Sequence, residues 1–167
     1  MTKDEINNSC DSSLFIDFVQ KKNPSYEIDE YQVTTPDGYI LKLFRINLPE
    51  HAKQNLQDKS KTSKVMFLIH PFSTCSDCWF MCDTKRAMGS YFVNRGYDVW
   101  AFNQRGNKYS KGHVDKDIHP RDYYRYTMDE PATIDIPSCY EKIMEVTGKD
   151  QITLAGYSMG GLYITLA

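Results

Sequence analysis

Ser158 is the residue best placed to do chemistry, because it is the centre of the pentapeptide Gly156-Tyr157-Ser158-Met159-Gly160. A short apolar run precedes the pentapeptide and an apolar, helix-compatible run follows it. Gly-x-Ser-x-Gly between a strand and a helix is the pattern of a nucleophile elbow, a turn so sharp that side chains two positions from the serine would collide. Glycines at those positions remove the collision and leave the hydroxyl clear. The plainer interpretation is a Gly/Ser turn between a strand and a helix, and we favour the elbow.

Composition narrows the classes of function that fit. The 167 residues correspond to one domain with enough apolar content for a core. The formal charge of −2 is mixed along the chain, with no basic stripe of the kind that binds nucleic acid. No apolar window is long enough to span a membrane, and the first residues lack the apolar core of an export signal. On these grounds alone we expect no membrane span and, by default, a cytoplasmic protein.

The five cysteines are an odd number in a chain with no visible export signal, which favours reduced thiols over a disulfide framework. The spacing Cys75-x-x-Cys78-x-x-x-Cys82 could suggest metal binding. A closed zinc site needs four ligands, however, and no second Cys or His pair lies nearby. We therefore predict that these side chains pack a loop and a helix start, and that the protein uses no metal and no cofactor.

The elements needed to position Ser158 follow from hydrophobic periodicity. Two alternating runs around Thr35-Pro36-Asp37-Gly38 predict a β-hairpin, and continuous apolar runs at Val65–Ile69 and Tyr97–Phe102 predict buried strands. A helix is expected around Lys85–Asn94, with Met88, Tyr91 and Phe92 facing inward. Another is expected from Asp135 as its N-cap to Gly148, which ends it. Residues 103–126, which follow the predicted strand Tyr97–Phe102, are expected to form a long loop. Strands alternating with helices predict an α/β fold in which a hairpin precedes a mostly parallel sheet with helices on both faces.

Several ordered motifs give the chain a family resemblance. They are Tyr31-Gln-Val-Thr-Thr-Pro-Asp-Gly-Tyr-Ile-Leu41, Gly96-Tyr-Asp-Val-Trp-Ala-Phe-Asn-Gln-Arg-Gly-Asn107, Tyr109-Ser110, His113, Asp129-Glu130, Asp135-Ile136-Pro137, Thr147-Gly148 and Ser158. In this order they resemble the acid lipase family of α/β-hydrolases (gastric and lysosomal acid lipases), from about Leu14 to the last residue. The resemblance implies an α/β-hydrolase fold and hydrolysis of neutral lipid esters.

The resemblance also implies roles for three residues. Ser158 would be the nucleophile, and the backbone N–H groups of Met159 and Phe72 would stabilise the oxyanion. Phe72 is assigned because the family has His-Gly-Leu after the third strand, and this chain has His70-Pro71-Phe72 at the matching positions. Pro71 departs from the family, and its fixed φ could misdirect the Phe72 amide.

In this fold the triad runs Ser, Asp, His, so both partners of the serine lie after the elbow. The sequence is then expected to be the N-terminal part, 1–167, of a single α/β-hydrolase domain, without the lid and the C-terminal triad region. Residues 1–13 are expected to form a flexible tail. We expect the histidines at 51, 70, 113 and 119 to be structural or solvated rather than to act as the base, and the isolated chain to have little or no activity.

Two alternatives stay open. The chain could be a non-catalytic pseudo-hydrolase, an assembly subunit whose open sheet edge is covered by a protein partner. It could also use the same elbow for another hydrolase chemistry, such as thioester cleavage. Localisation is open as well, since the family is secreted or lysosomal whereas no export signal is visible here.

Overall fold

The computed structural model describes Ile6 and residues 8–58, 60 and 64–167. In these residues one mixed sheet contains six strands: β1 Glu27–Thr34, β2 Tyr39–Asn47, β3 Val65–Ile69, β4 Asp98–Phe102, β5 Gly112–His113 and β6 Ile152–Gly156. The order across the sheet is β1-β2-β4-β3-β6, and β5 pairs with β2. Strands β4, β3 and β6 are parallel, while the β1–β2 hairpin joins β4 in antiparallel fashion.

Helical segments cover both faces of this sheet. They are α1 Ser13–Gln20, α2 Glu50–Gln54, a 3₁₀ helix Ser76–Phe80, α3 Met88–Val93, α4 Pro120–Tyr123, a π-helical turn Pro131–Asp135, α5 Ile136–Thr147 and α6 Met159–Leu166. On one face α1, the 3₁₀ helix and α3 bury Phe15, Val19, Trp79, Phe80 and Val93 against Met66 and Leu68. On the other face α5 and α6 bury Ile136, Cys139, Ile143 and Tyr163 against Phe67 and Phe102. Strand β3 is buried along its whole length, as its continuous apolar run predicts.

The inward face of α3 differs from the prediction. Met88 and Tyr91 are 51% and 44% exposed, whereas Phe92 is partly buried and packs against the core as predicted. The fully buried residues of the helix are Gly89, Ser90 and Val93. The reason is space, because a Cβ at Gly89 would lie 2.5 Å from the Phe80 ring. Phe80 belongs to the 3₁₀ helix, an element that periodicity did not reveal, and its ring fills the place that a large inward side chain of α3 would need.

Asp135 is not the N-cap that the sequence suggests. Its backbone is helical (φ −64°, ψ −50°), its side chain makes no capping bond, and a π-helical turn continues into α5. The carboxylate of Asp135 is fully buried and bonded instead to Arg105. At the other end of α5 the prediction is confirmed, since Gly148 ends the helix in the left-handed conformation with φ 64°.

The long loop 103–126 contains two short elements that were not predicted, β5 and α4. The described part of the N-terminal segment contacts this loop. The Cys10 N–H donates to the Lys108 carbonyl (2.6 Å), and the Lys111 N–H donates to Ser9 Oγ (2.9 Å). Ile6 is buried in the core on the α5 side. Residues 1–5 and 7 of the expected flexible tail lie outside the described residues.

Candidate active site

Ser158 lies between the end of β6 and the first residue of α6. Its backbone has φ 53° and ψ −116°, and it is one of two non-glycine residues with positive φ in the described part of the chain, Ser73 being the other. Such a conformation is unfavourable for a residue with a side chain and persists only where the surroundings enforce it. The residue is exposed, so its hydroxyl is accessible at the carboxyl end of the sheet.

Both glycines of the pentapeptide are required by close packing, and each avoids a different neighbour. A Cβ at Gly156 would lie 2.3 Å from the carbonyl carbon of Gly160, across the turn. A Cβ at Gly160 would instead lie 2.1 Å from the Ile69 carbonyl oxygen, at the end of β3. The first contact is the collision across the turn that the sequence analysis describes. The second was not foreseen, and it shows that Gly160 lets α6 pack directly on the neighbouring strand.

The N–H of Met159 belongs to the same planar peptide unit as the Ser158 carbonyl. That carbonyl accepts hydrogen bonds from the N–H groups of Gly161 (2.9 Å) and Leu162 (3.3 Å) in the first turn of α6. Because a trans peptide places N–H and C=O on opposite sides, the Met159 N–H points out of the helix N-terminus. It is therefore oriented as a donor toward the space in front of the turn.

The N–H of Phe72 is oriented in the same way, through the carbonyl of Pro71. That carbonyl accepts from Thr74 Oγ1 (2.9 Å) and lies 2.8 Å from Nδ1 of His70. Two donors thus fix the plane of the Pro71–Phe72 peptide, and its N–H must point away from them. The contacts of the Pro71 carbonyl therefore hold the direction of this amide.

His70 is a buried structural residue. The backbone N–H of Gln104 donates to its Nε2 (3.1 Å), so the proton of the neutral ring is on Nδ1, which donates to Pro71. The ring also stacks on Phe102 at 5.6 Å between centroids. Burial lowers the pKa of His70 to about 4. The imidazole therefore stays neutral at ordinary pH and ties the loop after β3 to the loop after β4.

A buried ionic cluster holds the loop after β4. Arg105, 1% exposed, donates to Asp135 (2.5 and 2.8 Å) and to Asp37 (2.6 and 3.1 Å), and its guanidinium lies 4.0 Å from the centroid of the Tyr39 ring. Burial acts to raise the pKa of Asp37, but the hydrogen bonds from Arg105 and Thr35 hold it below its ordinary value. For Asp135, burial is the stronger influence and raises the pKa. The cluster joins three motifs that lie far apart in the sequence: the hairpin turn, the loop after β4 and the start of α5.

A cleft of about 320 Å³ lies between the loops after β3 and β4. Phe72, Ser73, Thr74, Gln104 and Asn107 are among the residues that line it, and Ser158 is not. The cleft therefore lies on the Phe72 side of the site. Two large apolar side chains at the site, Phe72 and Tyr157, are each 65% exposed.

The other histidines lie in other surroundings. His113 packs against the rings of Tyr39 (5.1 Å) and Tyr123 (6.2 Å), and His119 caps α4 by accepting from the Arg121 N–H (3.2 Å). His51 belongs to the short helix α2. In the described part of the chain, Ser158 is not among the hydrogen-bond partners of the His70 and His119 rings.

All five cysteines are free thiols. Burial raises the pKa of Cys75 to about 11 and that of Cys78 to about 12. Among the described residues, no group of three or more His, Cys, Asp or Glu side chains is arranged to hold a metal ion. The helices of that same part of the chain include none with the length and apolar character needed to cross a bilayer.

Parallel strands in the order β4-β3-β6, with a strained serine turn between β6 and a helix, are the arrangement of the α/β-hydrolase class. Residues 64–167 match the family model described as the alpha/beta hydrolase fold, and the chain belongs to that family. Residues 20–83 match the partial alpha/beta-hydrolase lipase region. The predicted fold class is thereby confirmed.

Relatives of known name confirm the predicted resemblance to acid lipases. The chain is 37% identical to lipase lipl-3 of Caenorhabditis elegans and 34% identical to human lysosomal acid lipase/cholesteryl ester hydrolase, over 132 residues in each case. These matches cover 79% of this chain and 32% of each relative, so the chain spans about a third of their length. Among solved structures, an esterase of Pyrococcus furiosus is similar in fold, with a TM-score of 0.59 and 19% identity over 85% of this chain and 47% of the esterase.

The sequence predicts Ser158, Phe72 and Met159 as one site. The structure places Ser158 between β6 and α6, Met159 at the start of α6, and Phe72 on the loop after the neighbouring strand β3; their catalytic roles stay predictions. The residues that orient the loop, Thr74 and Gln104, and the tyrosine Tyr163 on α6 were not predicted. Thr74 and Tyr163 act through tertiary contacts and carry no spacing signal. Gln104, Arg105 and Asp135 did have one, since all three lie inside the motifs that carry the family resemblance.

Proposed function

We propose that the chain carries the nucleophile and the oxyanion donors of a serine ester hydrolase that acts on neutral lipid esters. The observation that carries the proposal is the enforced positive φ of Ser158 between β6 and α6, with Gly160 packed on the end of β3. A strained serine at the N-terminus of a helix is the arrangement in which α/β-hydrolases present their nucleophile.

In this mechanism Ser158 Oγ attacks the acyl carbon of the ester while a general base takes its proton. The N–H groups of Met159 and Phe72 donate to the oxygen that becomes negative, which is worth about 3–4 kcal/mol of transition-state stabilisation per donor. Collapse of the intermediate expels the alcohol, which receives the proton, and leaves the acyl group on Ser158. Water then attacks that acyl group, releasing the fatty acid and restoring the serine.

The base and its carboxylate partner are proposed to come from residues outside this sequence. In this fold they follow the elbow, and the chain spans about a third of its relatives. We therefore expect the isolated 167-residue chain to turn over little or no substrate, because a serine hydroxyl without a base is a weak nucleophile.

The substrate class rests on two supports. The relatives are lipases, one of them named for cholesteryl ester hydrolysis. In addition, Tyr157, which precedes Ser158 in the chain, and Phe72, on the loop after β3, are exposed apolar side chains, which suit an acyl chain better than a polar substrate. Thioester cleavage uses the same elbow and is the competing chemistry.

A fluorophosphonate probe tests the nucleophile, because it labels only an activated serine. We expect the complete product of the gene to be labelled at Ser158 and the 167-residue chain to be labelled weakly, with Ser158→Ala abolishing the signal in both. Strong labelling of the short chain would refute the proposed external base, and no labelling of either would refute the hydrolase. Comparing nitrophenyl esters of short and long acyl chains with acyl thioesters then separates the chemistries.

A second candidate function is a non-catalytic assembly subunit. It is favoured by β6, which forms an edge of the described sheet and is only partly buried, and by exposed Leu162 and Leu166 on the adjacent α6. Light scattering of the chain distinguishes the two, since a stable complex formed through this edge without any serine labelling would favour assembly.

A further inference from the structure

Gln104 connects the loop that carries Phe72 with the helix that begins with Met159. It is the second residue after β4, the strand that neighbours β3 in the sheet. Its backbone N–H donates to Nε2 of His70 (3.1 Å), and its side-chain Oε1 accepts from the Tyr163 hydroxyl (3.1 Å). One residue therefore contacts both the loop of Phe72 and the helix that begins with Met159.

On the Phe72 side, the contact acts through a short chain of hydrogen bonds. Because Nε2 of His70 accepts from Gln104, Nδ1 carries the proton that is donated to the Pro71 carbonyl. The position of that carbonyl sets the direction of the Phe72 N–H within the same planar peptide. Gln104 thus orients the Phe72 N–H indirectly, through His70 and Pro71, without contacting it.

On the elbow side, the contact acts through a tyrosine of the first turns of α6. Tyr163 is 1% exposed, and its hydroxyl lies 2.9 Å from Sδ of Met159 as well as 3.1 Å from Gln104. The hydroxyl has one proton, and an amide oxygen is a stronger acceptor than a thioether. This hydroxyl ties α6, and with it the residue that supplies the other oxyanion donor, to the loop after β4.

We propose that Gln104 and Tyr163 are positioning residues that set the distance between the Phe72 and Met159 amides. The inference rests on the proposed function, since it assigns these amides to one oxyanion hole. Oxyanion stabilisation depends on geometry within tenths of an ångström, so loosening the connection is expected to slow acylation without weakening the binding of substrate.

Four variants of the complete gene product test the proposal. Tyr163→Phe removes the hydroxyl and keeps the ring, and Gln104→Met removes the acceptor at similar length while keeping the backbone N–H. Gln104→Glu keeps an oxygen acceptor and should restore the connection. Tyr26→Phe is the matched control, because the Tyr26 hydroxyl bonds to Asn94 (2.8 Å) on the opposite face of the sheet.

The first measurement is the rate of fluorophosphonate labelling, resolved into the maximal rate and the concentration for half-maximal rate. We expect Tyr163→Phe and Gln104→Met each to lower the maximal rate 10-fold or more with the half-maximal concentration within twofold of wild type. The double variant should be no slower than either single one, and Gln104→Glu and Tyr26→Phe should stay close to wild type. Wild-type rates in Tyr163→Phe and Gln104→Met would overturn the positioning role and leave the hydrolase standing.

The second measurement does not need activity. With ¹⁵N-labelled phenylalanine and methionine, the amide signals of Phe72 and Met159 report on the two donors. We expect Tyr163→Phe to move the Phe72 signal, although the two residues belong to different elements, and Tyr26→Phe to leave it in place. If the wild-type protein is not labelled by the probe, the hydrolase fails, and an unmoved Phe72 signal then refutes the connection as well.

Discussion

The two sides of the candidate site are held in place by different forces. On the loop side, Arg105 with Asp37 and Asp135, and His70 with Gln104, form a buried polar network under the loops after β3 and β4. On the elbow side, β6 is only partly buried and α6 buries few of its side chains, and the turn is fixed by two glycines that fit against backbone. One side depends on satisfied charge and the other on steric fit, so each should respond to a different perturbation.

Removing Arg105 should cause the largest loss of stability. Arg105→Met leaves the carboxylate of Asp135 buried without its partner, which costs about 3–5 kcal/mol in the free energy of unfolding. Urea denaturation of the wild-type and variant chains measures it. The matched control is Arg45→Met, since Arg45 pairs with Asp98 at 2.7 Å but is 26% exposed, and that loss should be about 1 kcal/mol. Equal losses at the two arginines would contradict the view that the loop side depends on buried charge.

On the elbow side, adding a single methyl group at Gly160 should cause the largest loss of stability. Gly160→Ala places a Cβ 2.1 Å from the Ile69 carbonyl oxygen, which is backbone and cannot rotate away, so the variant should lose about 1–3 kcal/mol or more. Gly161→Ala is the control in the same helix, because its Cβ would meet nothing nearer than 3.6 Å. Alanine is the better helix former by about 1 kcal/mol, so Gly161→Ala should leave stability unchanged or raise it. Thermal unfolding of both variants checks the contrast, and a destabilised Gly161→Ala would show that helix α6 tolerates no addition at all.

The loop side should also respond to acid through His70. The pKa of His70 in the folded chain is about 4, below the ordinary value of 6.5, so as the pH falls the unfolded state takes up the proton first. Stability should therefore decrease between pH 6.5 and pH 4, by about 2 kcal/mol on going from pH 7 to pH 5. Denaturation at the two pH values, with His70→Gln and the surface control His51→Gln, measures this contribution. His70→Gln should show a flatter dependence than wild type, whereas an unchanged slope would mean that the ring is not buried in its neutral form.

The sequence predicted those features of the fold that are determined by residues close together in the chain. The hairpin turn, the apolar run of β3, Gly148 at the end of α5 and the Gly-x-Ser-x-Gly turn each depend on residues close together in the chain. The order of strands and helices followed from them, and with it the edge of the sheet where the site lies. The roles of Ser158, Phe72 and Met159 in catalysis stay predictions.

The features that the sequence did not predict depend on contacts between residues far apart in the chain. The sequence predicts Asp135 as an N-cap, but its carboxylate accepts a hydrogen bond from Arg105, 30 residues away, instead of capping the helix. The inward face of α3 cannot be known without the Phe80 ring, and Gln104 acquires a role only because Tyr163 lies against it 59 residues later. Side-chain chemistry at such positions is ordinary, and only the fold brings the groups together.

The smallest effect is expected on the outer surface of α6, and it tests whether further protein covers that surface. Leu162 is 44% exposed, so Leu162→Ala in the 167-residue chain should lose no more than about 1 kcal/mol, whereas Leu68→Ala in the buried strand β3 should lose about 2–5 kcal/mol. If other residues of the complete gene product, or a protein partner, cover this surface, the same Leu162→Ala change should cost more there than in the short chain, because the side chain would then be buried. Measuring Leu162→Ala in both forms, with Leu68→Ala as the reference, shows whether the elbow side is completed by further protein. An equal, small loss in the two forms would mean that the outer surface of α6 stays exposed, and would remove its support for the assembly function.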